Sequence, residues 1–152
     1  KKHSDIMANY AQGIYEVKNP DKYVGNHKPK YRSGWEFTFM AFCDNNPSVI
    51  KWASESIRIP YRHPLTGKQT IYVPDFFIMY EDKYGRVNAE IVEIKPKKQS
   101  IIESKVTSAR DKMAVIINQA KWLAANAYCK GQGLKFRVVT ESDLFYNGKK
   151  SK

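Results

Sequence analysis

Apolar and polar positions along this chain follow two different periods, and the switches between them divide it into elements. From Ser33 the apolar residues Trp35, Phe39, Met40 and Phe42 fall at near-helical spacing, and Asp44-Asn45-Asn46-Pro47 ends the run. This spacing predicts a helix capped by the Ser33 hydroxyl, with Glu36 in its first turn. Ser48 to Pro60 predicts a strand carrying Val49, Trp52, Ile57 and Ile59, with Ser54-Glu55-Ser56 as a polar bulge. Pro64-Leu65-Thr66-Gly67-Lys68 is a turn, and Gln69 to Tyr80 predicts a second strand. Glu81 to Arg86, containing Gly85, turns the chain into a third strand from Val87 to Lys95, so the three strands form a meander.

From about residue 107 to 130 the helical period returns. Ala109, Met113, Ile116, Ile117, Ala120, Leu123, Ala124 and Ala127 form an apolar stripe, expected to be core, and Gly131 to Gly133 closes the helix. Leu134 to Thr140 predicts a fourth strand and Glu141 to Tyr146 a short terminal helix. A helical crossover lets that last strand pair parallel with the Val87–Lys95 strand. The expected class is α/β: a central mixed sheet, a three-stranded meander plus a parallel strand, flanked by helices. Residues 1–32 show little periodicity and carry Gly13, Pro20, Gly25 and Pro29, which predicts an extended N-terminal arm anchored by Tyr10, Tyr15, Tyr23 and Tyr31. The expected organisation is therefore this arm, one domain over residues 33–147, and a basic tail over residues 148–152.

Composition narrows the partner. A chain of 152 residues is most simply one domain, and 42% hydrophobic with 13% aromatic residues suits a folded globule. Lys and Arg number 26 against 15 Asp and Glu, a net charge of +11 that points to an anionic partner, nucleic acid first. Terminal lysines such as Lys1, Lys2, Lys149, Lys150 and Lys152 contribute to that surplus as solubilising charge. Cys43 and Cys129 have neither zinc-ligand spacing nor the numbers of a disulfide framework, which suits synthesis in a reducing cytoplasm. No run approaches the roughly 18 apolar residues of a membrane span, so no membrane partner is expected. The histidines His3, His27 and His63 lie in polar or proline-rich surroundings, and none reads as a catalytic base.

Candidate chemistry sits in the meander. Pro74-Asp75 is followed by Glu93-Ile94-Lys95 on the neighbouring strand, and alternation turns Glu93 and Lys95 to one face while Ile94 enters the core. Two carboxylates suffice to hold Mg²⁺, which prefers hard oxygen donors and keeps several waters. Such an ion activates water and neutralises charge at a phosphodiester, and an adjacent lysine adds a fixed cation. Alternating Glu and Lys would equally suit an exposed strand face. Pro74 argues against mere surface decoration, because proline in an apolar strand marks a bend or an edge.

These residues carry a resemblance. Glu36 on the first helix, Pro74-Asp75 on the second strand and Glu93-Ile94-Lys95 on the third resemble the PD-(D/E)XK nuclease superfamily. Tyr31-Arg32-Ser33-Gly34-Trp35-Glu36, Asn46-Pro47 and Ile59-Pro60-Tyr61 are similar to its TnsA-like transposon endonucleases. More narrowly, Lys22-Tyr23-Val24-Gly25, Glu93-Ile94-Lys95-Pro96-Lys97-Lys98, Lys121-Trp122 and Lys135-Phe136-Arg137 resemble the head-completion proteins of large contractile-tailed phages, over nearly all of residues 7 to 148.

The resemblance implies a restriction-endonuclease-like core and a DNA endonuclease using Mg²⁺, with Mn²⁺ as a substitute. It implies Asp75, Glu93 and Glu36 as metal ligands and Lys95 as the catalytic lysine, with Lys97, Lys98 and Lys121 as weaker candidates for DNA contact. It places the protein in the phage virion, at the head–neck or portal vertex, processing or capping the end of packaged double-stranded DNA. Portal or neck proteins are then the expected partners, with a homo-oligomeric ring as one arrangement. Two other functions fit the sequence: a structural neck connector that binds DNA and portal proteins without essential cleavage, and a host-type restriction, repair or transposition nuclease.

Overall fold

Two of the three meander strands are broken, and the breaks build the interesting corner of the molecule. A computed structural model describes residues 12–96, 108–140 and 142–143. Its strands are β1 (Gly13–Ile14), β2 (Lys30–Tyr31), β3 (Val49–Ser54), β4 (Ile59–Arg62), β5 (Gln69–Tyr72), β6 (Phe76–Glu81), β7 (Val87–Ile94) and β8 (Lys135–Val139). Its helices are α1 (Gly34–Asn45) and α2 (Ala109–Gln132), with a single 3-10 turn at Pro20–Lys22. The sheet order is β3-β6-β7-β8, antiparallel except for the parallel β7–β8 pair, and β1–β2 and β4–β5 form two small sheets. The fold is thus mixed α/β, with α2 as the crossover between the parallel strands.

The strand expected across Ser48–Pro60 ends at Ser54. Glu55 adopts φ 50°, a left-handed conformation that costs a non-glycine residue energy and turns the chain out of the sheet. The chain then makes the β4–β5 hairpin and returns at Val73-Pro74-Asp75, where proline cannot donate to a ladder. Asp75 therefore lies in the break before β6 and not within a strand as expected. Glu55 N donates to Asp75 O at 2.9 Å, pinning the two breaks together.

Two cores flank the sheet. On the α1 face, Phe39, Met40 and Cys43 pack with Trp52, Phe76, Ile78, Val92, Ile94 and Val139, and Tyr15 and Tyr31 join them from residues 12–32. Asp44, fully buried, ties that segment down: its carboxylate accepts from Tyr15 Oη at 2.8 Å, Lys18 N at 2.8 Å and Asn19 N at 3.0 Å. Tyr23 adds an edge-on contact with Trp52, at 4.7 Å between ring centroids. Tyr10 lies outside the described residues, as do the basic tail and all but residues 142–143 of the expected terminal helix.

On the other face α2 packs against Ile59, Tyr61 and Tyr72 of the hairpin and Phe136 of β8. Ser108 caps this helix by accepting from Asp111 N, and Gly133 closes it at φ 74°. No member of the stripe expected as core is fully buried: Ile117, Ala120 and Ala124 are half-buried, and Met113, Ile116 and Leu123 are 47%, 43% and 73% exposed. The buried residues of the helix are instead Val115, Asn118, Ala125 and Cys129. Residues 113 and 115 lie about 200° apart around a helix, so two stripes of equal period compete. The one bearing Ala125 wins because a small residue admits the bulky hairpin tyrosines.

Candidate active site

The β6–β7 register opposes Phe76 to Val92, which brings Asp75 beside Glu93. Val92 and Ile94 enter the α1-side core, so Glu93 between them faces the α2 side. Asp75 Oδ2 accepts from Ile94 N at 2.8 Å, so this carboxylate replaces a strand partner that the broken chain cannot supply. Glu93 Oε1 accepts from Tyr72 Oη at 2.7 Å and from Asp75 N at 3.3 Å. Lys95 N donates to Val139 O at 3.0 Å, extending the parallel ladder, and Lys95 Nζ lies 3.7 Å from Glu93 Oε2. Asp75, Glu93 and Lys95 thus meet at one place.

Glu36 reaches the same corner from α1. Its backbone N–H donates to Ser33 Oγ at 3.1 Å, and its own carboxylate accepts from Arg32 N at 2.9 Å, a reciprocal cap shifted by one residue. Capping alone therefore accounts for an acid here, yet its charge is also felt by Asp75. Lys121 arrives from α2, its Nζ 5.5 Å from the centroid of the Tyr72 ring. Lys97 and Lys98 lie outside the described residues.

The electrostatics are those of crowded, desolvated acids. Burial raises the Asp75 carboxyl well above the usual range, and the charges of Glu93 and Glu36 push it further against the Ile94 N–H and Lys95. Burial likewise raises Glu93, opposed by the Tyr72 hydroxyl and Lys95. Glu36 is raised by burial despite the Arg32 N–H and guanidinium. Lys121 is lowered by burial and then by Lys95, with Glu93 and Asp75 opposing. All three carboxylates are short of positive charge, and a divalent ion would supply it.

The donors suit a hard cation. Asp75 and Glu93 offer carboxylate oxygens, and each has one oxygen tied to the protein while the other accepts no hydrogen bond among the described residues. Among the described residues no group of three or more His, Cys, Asp or Glu side chains forms a metal cage by itself. Mg²⁺ does not need one, since one or two carboxylates with waters and a substrate phosphate complete its shell.

Three residues here carry no local sequence signal strong enough to find them. Tyr72 reads as another strand aromatic; only its hydroxyl, placed by tertiary folding, makes it polar in function. Arg32 and Glu55 form an ion pair at the rim, and Ser54-Glu55-Ser56 marks an interruption without revealing the left-handed turn that sets Glu55 there.

Comparison with known proteins finds a family and a relative. Residues 46–141 match the family model described as the TnsA-like endonuclease N-terminal domain. The chain is also 35% identical, over 142 residues, to the head completion nuclease of Enterobacteria phage T4, covering 87% of this chain and 92% of that protein. Asp75, Glu93, Lys95 and Lys121 fall within the family match, and Glu36 precedes it.

Proposed function

The chain belongs to the TnsA-like endonuclease family, and from that premise we propose that it hydrolyses DNA phosphodiesters at Asp75, Glu93 and Lys95 while a phage head is completed. The observation that carries this proposal is the acid pair, Glu93 buried and Asp75 half-buried, beside a lysine, inside the segment that matches the family. The scaffold under it, a β3-β6-β7-β8 sheet with a helix on each face, is read as a restriction-endonuclease-like core.

Asp75 and Glu93 hold Mg²⁺ in this proposal, with Glu36 assisting and Mn²⁺ as a substitute. When bound there, such an ion would supply a water of lowered pKa and offset charge on the phosphate. The Lys95 ammonium, 3.7 Å from Glu93 Oε2, is held beside the acids, where a fixed cation stabilises a phosphate oxygen or the attacking water. The net charge of +11 attracts the double-stranded DNA backbone, an affinity that falls steeply with salt. In the virion the protein acts at the portal or neck vertex, trimming or capping the packaged end.

Incubating supercoiled and linear plasmid with the purified protein in Mg²⁺, Ca²⁺ or EDTA tests this. Cutting in Mg²⁺ is expected, with Asp75→Asn and Lys95→Ala each reducing it by roughly 10²-fold or more. An Asp75→Asn protein that cuts as well as the parent sinks the assignment. The connector alternative draws support from the exposed Met113, Ile116 and Leu123 on α2, a face suited to protein contact. Phage carrying Asp75→Asn that assemble and infect normally would favour it.

A further inference from the structure

Tyr72 ends β5, where the inserted hairpin meets both β7 and α2. It is 4% exposed, and two functional groups of the site converge on its two polar aspects. The hydroxyl donates to Glu93 Oε1, and the ring face lies under the Lys121 ammonium. Resting on the nuclease proposal above, we propose that Tyr72 is a positioning residue which makes Glu93 bind its cation through Oε2 alone and holds Lys121 beside the acids as a second phosphate contact.

Lone pairs carry the first half. A carboxylate oxygen accepts about two hydrogen bonds, and Glu93 Oε1 already receives two, from Tyr72 Oη at 2.7 Å and Asp75 N at 3.3 Å. Among the described residues Oε2 has only Lys95, at 3.7 Å, an ion pair too long to be a hydrogen bond and easily displaced. Asp75 Oδ2 receives one hydrogen bond, from Ile94 N, and keeps a lone pair. Of the two acids it is Glu93 that presents a single oxygen. Mg²⁺ demands near-octahedral single-oxygen donors, whereas Ca²⁺ readily takes both oxygens of a carboxylate. A hydroxyl that blocks Oε1 thus favours the smaller ions over Ca²⁺.

The second half rests on the aromatic face. A lysine stem is flexible and loses rotamer entropy when fixed. A ring within 6 Å of the ammonium offsets part of that loss, and the 5.5 Å separation here meets the requirement. Trp122, next in sequence, brings its buried Nε1 near the Tyr72 hydroxyl without hydrogen-bond geometry, so the helix is held there by packing around Tyr72.

The experiment titrates Mn²⁺ and Ca²⁺ calorimetrically into the wild-type protein, Asp75→Asn, Tyr72→Phe and Tyr72→Leu. It also measures binding of a short duplex in EDTA across a salt series, with Lys121→Met alongside. Tyr72→Phe should bind Mn²⁺ at least tenfold more weakly, in the range seen when a ligand loses its supporting hydrogen bond. Its Mn²⁺-to-Ca²⁺ preference should shrink while its DNA binding is unchanged, because the ring remains. Tyr72→Leu should lose both metal affinity and, like Lys121→Met, about one unit of salt slope. A folded Tyr72→Phe with wild-type Mn²⁺ affinity and metal preference overturns the proposal. If Tyr72→Phe does not fold, Lys121→Met decides, and an unchanged salt slope overturns it. Wild-type protein that binds Mn²⁺ no better than Asp75→Asn refutes the nuclease proposal itself, a distinguishable result.

Discussion

Burial, more than pairing, governs the acids at the residue scale. Asp75, Glu93 and Glu36 all have carboxyls raised above their ordinary values. A group with a folded pKa above its unfolded one binds more protons when folded, so stability falls as pH rises through the interval between the two. Without divalent ions the protein should therefore melt at a higher temperature near pH 5 than near pH 7, by roughly a few degrees. Melts in EDTA read this directly, and Asp75→Asn should flatten the profile. Adding Mg²⁺ at pH 7 should raise the melting temperature, because an ion bound only by the folded state stabilises it. Much of this corner was legible in the sequence: period-2 alternation places Glu93 and Lys95 on one face, and Pro74 marks the bend beside Asp75. Tyr72 was not legible, since nothing local distinguishes a phenol that meets a carboxylate from one that fills a core.

Among elements, α2 shows where periodicity stops informing. The sequence reveals its helix, its Gly133 terminus and its apolar content, but two stripes of the same period run along it. Only the shape of the opposing surface chooses between them, and shape is not written locally. Replacing Leu123 with Ser should change stability by less than about 0.5 kcal/mol, given its 73% exposure. Val115→Ala should cost roughly 1–3 kcal/mol, as befits a buried methyl pair. Urea unfolding of the two variants separates the faces; equal losses would contradict the packing. The breaks in the strands have a similar cause. Ser54-Glu55-Ser56 signals an interruption, yet a one-residue bulge and a full departure from the sheet share that signal.

For the whole molecule, the first described residues are part of the folded body. Asp44 holds Tyr15, Lys18 and Asn19, and although burial works to raise its pKa, those hydrogen bonds win and hold the carboxyl below its usual value. Such a group stabilises above the unfolded value and loses its effect as pH falls through the folded one, so its contribution disappears only in acid below about pH 4. Asp44→Ala should cost roughly 2–4 kcal/mol, from several lost buried hydrogen bonds, and denaturant titration measures it. Removing residues 1–29 should unfold or greatly weaken the domain, because Tyr15 leaves the core and Asp44 loses its donors. The Glu55–Asp75 hydrogen bond carries a different kind of consequence. It fastens the neck of the hairpin excursion, so the acid beside it is held from the sheet side, while Ile59 and Tyr61 farther along carry α2. Loop closure grows only slowly more costly with length. The exposed turn between β4 and β5 is therefore the place where the chain can change in length while the reaction centre stands still.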